Sequence, residues 1–202
     1  MAIAVGFATG WTTTAWAVNA DNRVGNPRYD VECRDGSPGS AAGPVCRTDG
    51  SNVDYYMDSS GEFALEADDR SVVTSIMQNR YDPTDLFVTY EPNPTFGGCG
   101  ETDIIYQEGT VQSGFVGVTW CDDSSPSPRY ECDQQYVRIR GNGEYNNGVT
   151  CHETGHAVGL VHGDSANPAT SQTDGDLGCM RTPTPAGSGL GQNQIARINQ
   201  MY

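Results

Sequence analysis

The chain of 202 residues contains no lysine: arginine supplies all 11 of its basic side chains, against 26 acidic ones, and the formal net charge is −15. A surface so poor in positive charge lacks the electrostatic footprint of a protein that binds nucleic acid or an anionic membrane, so neither partner is expected. Long apolar runs are missing after residue 20, which excludes a transmembrane helix there. There is no internal repeat and no low-complexity tract. Histidine is scarce, with three in the whole chain.

What is present fits one globular domain. The length allows a single well-buried core, and 36% hydrophobic with 9% aromatic residues is a globular composition. Seven cysteines in a chain of this size point to an oxidising compartment, so a secreted, extracellular and monomeric protein is expected. The opening "MAIAVGFATGWTTTAWAVNA" is uncharged and ends in small residues, with Ala15-Trp16-Ala17 and Val18-Asn19-Ala20 as cleavage signals. It reads as a signal peptide over 1–20 that lacks the usual positive start. Residues 21–52 are dense in Gly, Pro, Ser and Asp and read as a loop-rich extension; residues 53–202 carry the periodic elements.

All three histidines fall in "CHETGHAVGLVHGD", residues 151–164. On a helix, His152 and His156 project from one face a turn apart, spacing suited to two imidazoles on one metal ion. Gly159 can take the left-handed conformation that ends a helix and reverses the chain, which brings His162 back to the same ion. Asp164 is the alternative third ligand. Three imidazoles with one open position make a catalytic zinc site, whereas structural zinc is closed by four protein ligands. Zinc lowers the pKa of a bound water to about 7, and Glu153, beside the first histidine, is placed to take its proton as general base.

Over His152 to His162 the chain matches H-E-x-x-H-x-x-G-x-x-H at every position, and "LGCMRTP" places Met180 downstream. In these residues it resembles the metzincin zinc endopeptidases, closest to matrixin-like secreted proteases of actinobacteria. The resemblance implies an α+β, metzincin-like zincin fold: a small mixed β-sheet, a long N-terminal helix, the zinc-site helix, a methionine turn and a C-terminal helix. It implies zinc on His152, His156 and His162, Glu153 as base, Met180 as a platform under the metal, and a protein or peptide substrate. No tyrosine closely follows Met180, so the extra tyrosine ligand of astacin-like enzymes has no candidate. By position, Phe115–Trp120 is the strand that forms the cleft's upper rim and pairs with an extended substrate. A Cys151–Cys179 bridge would tie the methionine turn to the zinc helix, leaving Cys99 over; pairing Cys132 with Cys151 remains an alternative.

The rest of the chain supplies elements in a suitable order. "EADDRSVVTSIMQNRY" puts Val72, Val73, Ile76, Met77 and Tyr81 on one helical face. "NVDYYMD", "LFVTY", "DIIYQ", "FVGVTW" and "QYVRIR" read as strands, the last with Arg138 and Arg140 alternating outward as in a half-exposed strand. "GLGQNQIARINQMY" carries Ile195, Ile198 and Tyr202 at helical spacing. Cys33 and Cys46 most simply form a local disulfide; the sharper alternative makes one of them a latency thiolate on the metal, as in vertebrate matrixin propeptides. Cys121 and Cys132 flank a turn-rich segment that they could close. Asp174 and Asp176 in "TDGDLG", and the loop "DGSPGS", invite structural calcium, without the full EF-hand spacing. The function expected is peptide-bond hydrolysis by a secreted zinc endopeptidase. The alternatives are a latent or non-catalytic zinc-containing binding module and a zinc amidase acting on non-protein amides.

Overall fold

The computed structural model describes residues 19–98, 100–125 and 128–202. Most of the expected signal peptide, residues 1–18, lies outside the described residues, as does Cys99. Among the described residues six strands form one mixed sheet: β1 (Arg47–Thr48), β2 (Asn52–Met57), β3 (Phe87–Tyr90), β4 (Ile104–Glu108), β5 (Gly117–Ser124) and β6 (Glu131–Ile139). The order is β3-β2-β4-β6, with β1 beside the first residues of β6 and β5 on its other side. Every pairing is parallel except β5 with β6. Parallel neighbours require crossovers, and α1 (Ala67–Ile76) provides the one from β2 to β3. Two further helices, α2 (Asn147–Ala157) and α3 (Gln192–Met201), follow the sheet. The protein is thus mixed α and β, with a largely parallel sheet and several helices, compatible with the α+β class.

The apolar periodicity of the first helix is realised. Val73, Ile76, Met77 and Tyr81 are buried and Val72 is partly so, while Asp68 and Asp69 occupy the first turn, where acidic groups complement the helix dipole. Past Ile76 the coil widens into a π turn over Met77–Tyr81. The central strand β4 is covered on both faces and is buried from Ile104 to Gln107.

In β6 the expectation of a half-exposed strand is corrected, since Arg138 is buried. Its guanidinium lies 3.9 Å from the Phe63 ring centroid and 5.1 Å from that of Trp120, and donates to Gln107 Oε1 at 2.7 Å. Two aromatic faces and an acceptor replace the water that the charge loses. In α3, Ile198 is buried as expected, but the polar Asn193 and Gln194 are buried too. The Gln194 amide donates to Asp176 O at 2.8 Å and its carbonyl accepts from Gly191 N at 3.1 Å, tying the helix to the turn before it.

One core joins the inner faces of β2, β4 and β6 to α1, α2, the 175–180 turn and Ile198. Residues 21–48 are bound into this body: Val24 N donates to Gly159 O, Val161 N donates to Asn22 O, and β1 pairs with β6. Among the described residues three disulfides link Cys33 to Cys46, Cys121 to Cys132 and Cys151 to Cys179; the first two pack against each other in a small buried cluster. With Cys33 and Cys46 bonded to one another, neither is a thiolate, which overturns the latency alternative. Among the described residues no helix is long and apolar enough to cross a membrane.

Candidate metal centre

Helix α2 begins where the Asn146 side chain accepts from Val149 N at 3.1 Å, an N-cap that satisfies one of the free amides of the first turn. Its underside is pinned by two tyrosines: Tyr81 donates to Cys151 O at 2.6 Å, and the Tyr106 and Thr154 hydroxyls lie 2.7 Å apart. Gly155 faces Met180 so closely that a Cβ would overlap the thioether sulfur. Met180 therefore lies directly beneath the helix, fully buried. The helix ends at Ala157, and the chain reverses at Gly159, whose φ of 90° is open to glycine and costly for other residues. The reversed chain then brings His162 back over His152 and His156.

The three Nε2 atoms stand 3.0 to 3.1 Å apart in a triangle. His152 Nδ1 lies 2.7 Å from Cys179 O and His156 Nδ1 lies 2.8 Å from Leu160 O. A carbonyl only accepts, so both Nδ1 atoms carry the proton and both Nε2 atoms present bare lone pairs. Two lone pairs 3.1 Å apart repel unless a cation lies between them. A tetrahedral ion about 2.0–2.1 Å from each nitrogen sets its ligands about 3.3 Å apart, close to the observed spacing. Burial is also the first cause that lowers the imidazole pKa values: His152 falls to about 4, helped by the nearness of His162, His156 falls well below its ordinary value, and His162 falls as well. Neutral imidazole is the form that binds metal. The three histidines could therefore hold a metal ion. Asp164, the other candidate for third ligand, accepts from Gln172 at 2.8 Å and from Ser165.

Glu153 is buried beside the triangle. Its carboxyl group is held by Thr119 of β5, whose hydroxyl lies 2.9 Å from both Glu153 Oε2 and Glu153 O. On the other side it rests on Gly117, where a Cβ would stand 2.8 Å from Glu153 Cγ and 2.9 Å from Oε1. Burial raises its pKa to about 7, against the lowering effect of the Thr119 hydrogen bond. A carboxyl group poised there can accept and return a proton near neutral pH.

The site opens into a cavity of about 270 Å³. One side is β5 with Phe115 before it; the other is built by Tyr29, Ala41, Gly43 and Val45 from the N-terminal segment. Val45 N donates to the Tyr29 hydroxyl at 2.7 Å, joining two parts of that wall. Gly117 and Thr119 belong to the segment Phe115–Trp120 that was expected to border the cleft, but their contact with Glu153, like the wall residues of the N-terminal segment, carries no sequence signal, because each forms only through tertiary structure. A larger hollow of about 590 Å³ beside α1 has no comparable chemistry: its Ser71, Thr74 and Asn79 side chains bond back to carbonyls of their own helix.

On β5, Cys121 O accepts from Gly36 N on the outer side, while Val116 O accepts from Arg140 N on the β6 side. Strand alternation therefore turns the backbone groups of Gly117 and Thr119 away from β6, toward the cavity edge. In the loop anticipated for calcium, Asp174 Oδ1 accepts from Asp176 N at 3.0 Å and its other oxygen accepts from Thr170. Among the described residues no three carboxylates bring oxygens within 4.8 Å of one another. No protein-family model matches the chain, and comparison with curated proteins yields no match.

Proposed function

We propose that the chain is a secreted zinc endopeptidase of the metzincin type. The observation that carries this reading is the pair of bare, mutually facing Nε2 atoms on His152 and His156, joined by His162, with the buried Glu153 carboxyl at an open cavity. Three imidazoles and one open position suit zinc better than harder ions, which prefer oxygen ligands. When bound, zinc supplies a Lewis acid that acidifies water and polarises a peptide carbonyl.

The chain's own residues supply the rest. His152, His156 and His162 hold the ion. An extended peptide adds alongside the part of the β5 edge that precedes Cys121, where the outward amides of Gly117 and Thr119 fix its backbone beside Glu153. Glu153 takes the proton from the attacking water and returns it to the leaving amide nitrogen, as general base and then general acid. Met180, under Gly155, keeps the histidine-bearing turn of α2 from moving. Three disulfides support an extracellular setting.

Zinc content by elemental analysis, paired with casein hydrolysis before and after a chelator, tests the reading. One zinc per chain and chelator-sensitive cleavage are expected, and Glu153→Ala should keep its zinc while losing at least ~100-fold in kcat. Undiminished cleavage by Glu153→Ala would sink the mechanism. Zinc without any cleavage would point instead to a binding module, and turnover of non-protein amides alone to an amidase.

A further inference from the structure

We infer that Thr119 and Gly117, two residues apart on β5, are positioning residues for the Glu153 carboxyl group: one holds it by a hydrogen bond and the other by the space left without a side chain. The inference rests on the reading of Glu153 as the base.

The two residues share the face of β5 that meets α2, because strand side chains alternate. Val118 and Trp120 point to the opposite face, where they pack with Val111. The Thr119 hydroxyl has one proton and two acceptors at 2.9 Å, Glu153 O and Glu153 Oε2. The carbonyl already belongs to the helical ladder of α2, which leaves the carboxyl oxygen as the acceptor with no second donor among the described residues. Contact with both atoms fixes the threonine rotamer as well as the glutamate side chain, which otherwise has three rotatable bonds. Gly117 completes the seat: a methyl group there would stand 2.8 to 3.0 Å from Cγ, Oε1 and Cδ of Glu153, so the carboxyl group would have to leave its position. The base thus stands on a helix but is aimed by a strand. A displacement of the order of 1 Å at such a group costs about 100-fold in rate.

Thr119→Val removes the hydroxyl and keeps the shape; Thr119→Ser restores the hydroxyl. In the zinc-loaded protein, Thr119→Val is expected to lower kcat ~10- to 100-fold with KM within about twofold, and Thr119→Ser to recover most of the loss. A second readout needs no turnover: the affinity of a peptide hydroxamate, which ligates zinc and hydrogen-bonds to the adjacent carboxyl group, measured by calorimetry. Thr119→Val should weaken it about tenfold in the presence of Glu153 and change nothing further in a Glu153→Ala background.

Gly117→Ala, which displaces the carboxyl group from the other side, should weaken both readouts and serves if Thr119→Val does not fold. Equal losses in both backgrounds, or no rescue by serine, would overturn the inference and make Thr119 a packing residue. A wild-type protein that binds hydroxamate through Glu153 and Thr119 yet cleaves no peptide would sink the peptidase reading and leave the positioning role standing.

Discussion

Gly155 is where the candidate metal site meets the core. It lies between two metal-site histidines in the sequence, where the motif accepts any residue, yet Met180 Sδ occupies the space that a Cβ would fill. Gly155→Ala should therefore destabilise the protein by about 1–3 kcal/mol through overpacking and loosen the metal. Thermal melts with and without zinc would check this; an unchanged melting temperature would mean that Met180 yields freely. The histidines, Glu153, Gly159 and Met180 were legible because they lie at fixed offsets along one segment or shortly after it. Thr119 was placed on the rim strand, but its bond to Glu153 was not legible: the two are 34 residues apart, and a contact between strand and helix leaves no local period to read.

Among the elements, α1 and α3 were legible from apolar periodicity, α2 from the spacing of its histidines and the five longer strands from β-rich runs, while their ends were not. Strand β1 escaped notice because two residues carry no alternation. Strand β5 runs past Trp120 to Ser124 through an irregularity near Asp123, in a segment whose acidic residues read as a turn. The burial of Arg138 was hidden for a related reason, since an arginine alternating with apolar residues looks solvated until Phe63 and Trp120 are placed around it. The Cys151–Cys179 bridge joins α2 to the turn that carries Met180, and Cys179 O is the acceptor that orients His152. Replacing both cysteines by serine should cost about 2–4 kcal/mol in urea denaturation and weaken zinc retention against a competing chelator, because His152 loses its fixed acceptor. Full zinc retention would place the bridge outside the site's support.

Over the whole molecule, charge and topology act together. Asp103 is buried beside Asp49 and Asp54, and burial pushes its pKa up to about 8 despite the hydrogen bond from Asp54 N. An unfolded chain gives up that proton near the ordinary carboxylate value of 3.8, so in the intervening range the folded state holds one more proton and stability falls as pH rises. The histidines act oppositely below their ordinary value of 6.5, where the unfolded chain takes up protons that their lowered folded values refuse. A melting temperature that falls from pH 6.5 to 8.5 is therefore expected, with Asp103→Asn flattening the fall and stabilising the protein at pH 8 by on the order of 1 kcal/mol; a fall as steep in the variant would remove Asp103 as its cause. Topology at this scale was the least legible: the segment from residue 21 looked like an appendage, yet Asn22, Val24 and β1 are bound to the body by backbone pairing that no composition reveals. The loop closed by Cys33 and Cys46 has a further consequence. It borders the cavity through Ala41, Gly43 and Val45 but contributes no histidine and no part of α2, so a change in those side chains alters the cavity wall and leaves the three histidines in place. On the proposed reading, reactivity and selectivity would then reside on separate stretches of chain, and new preferences could be tried in the loop while the chemistry stays untouched.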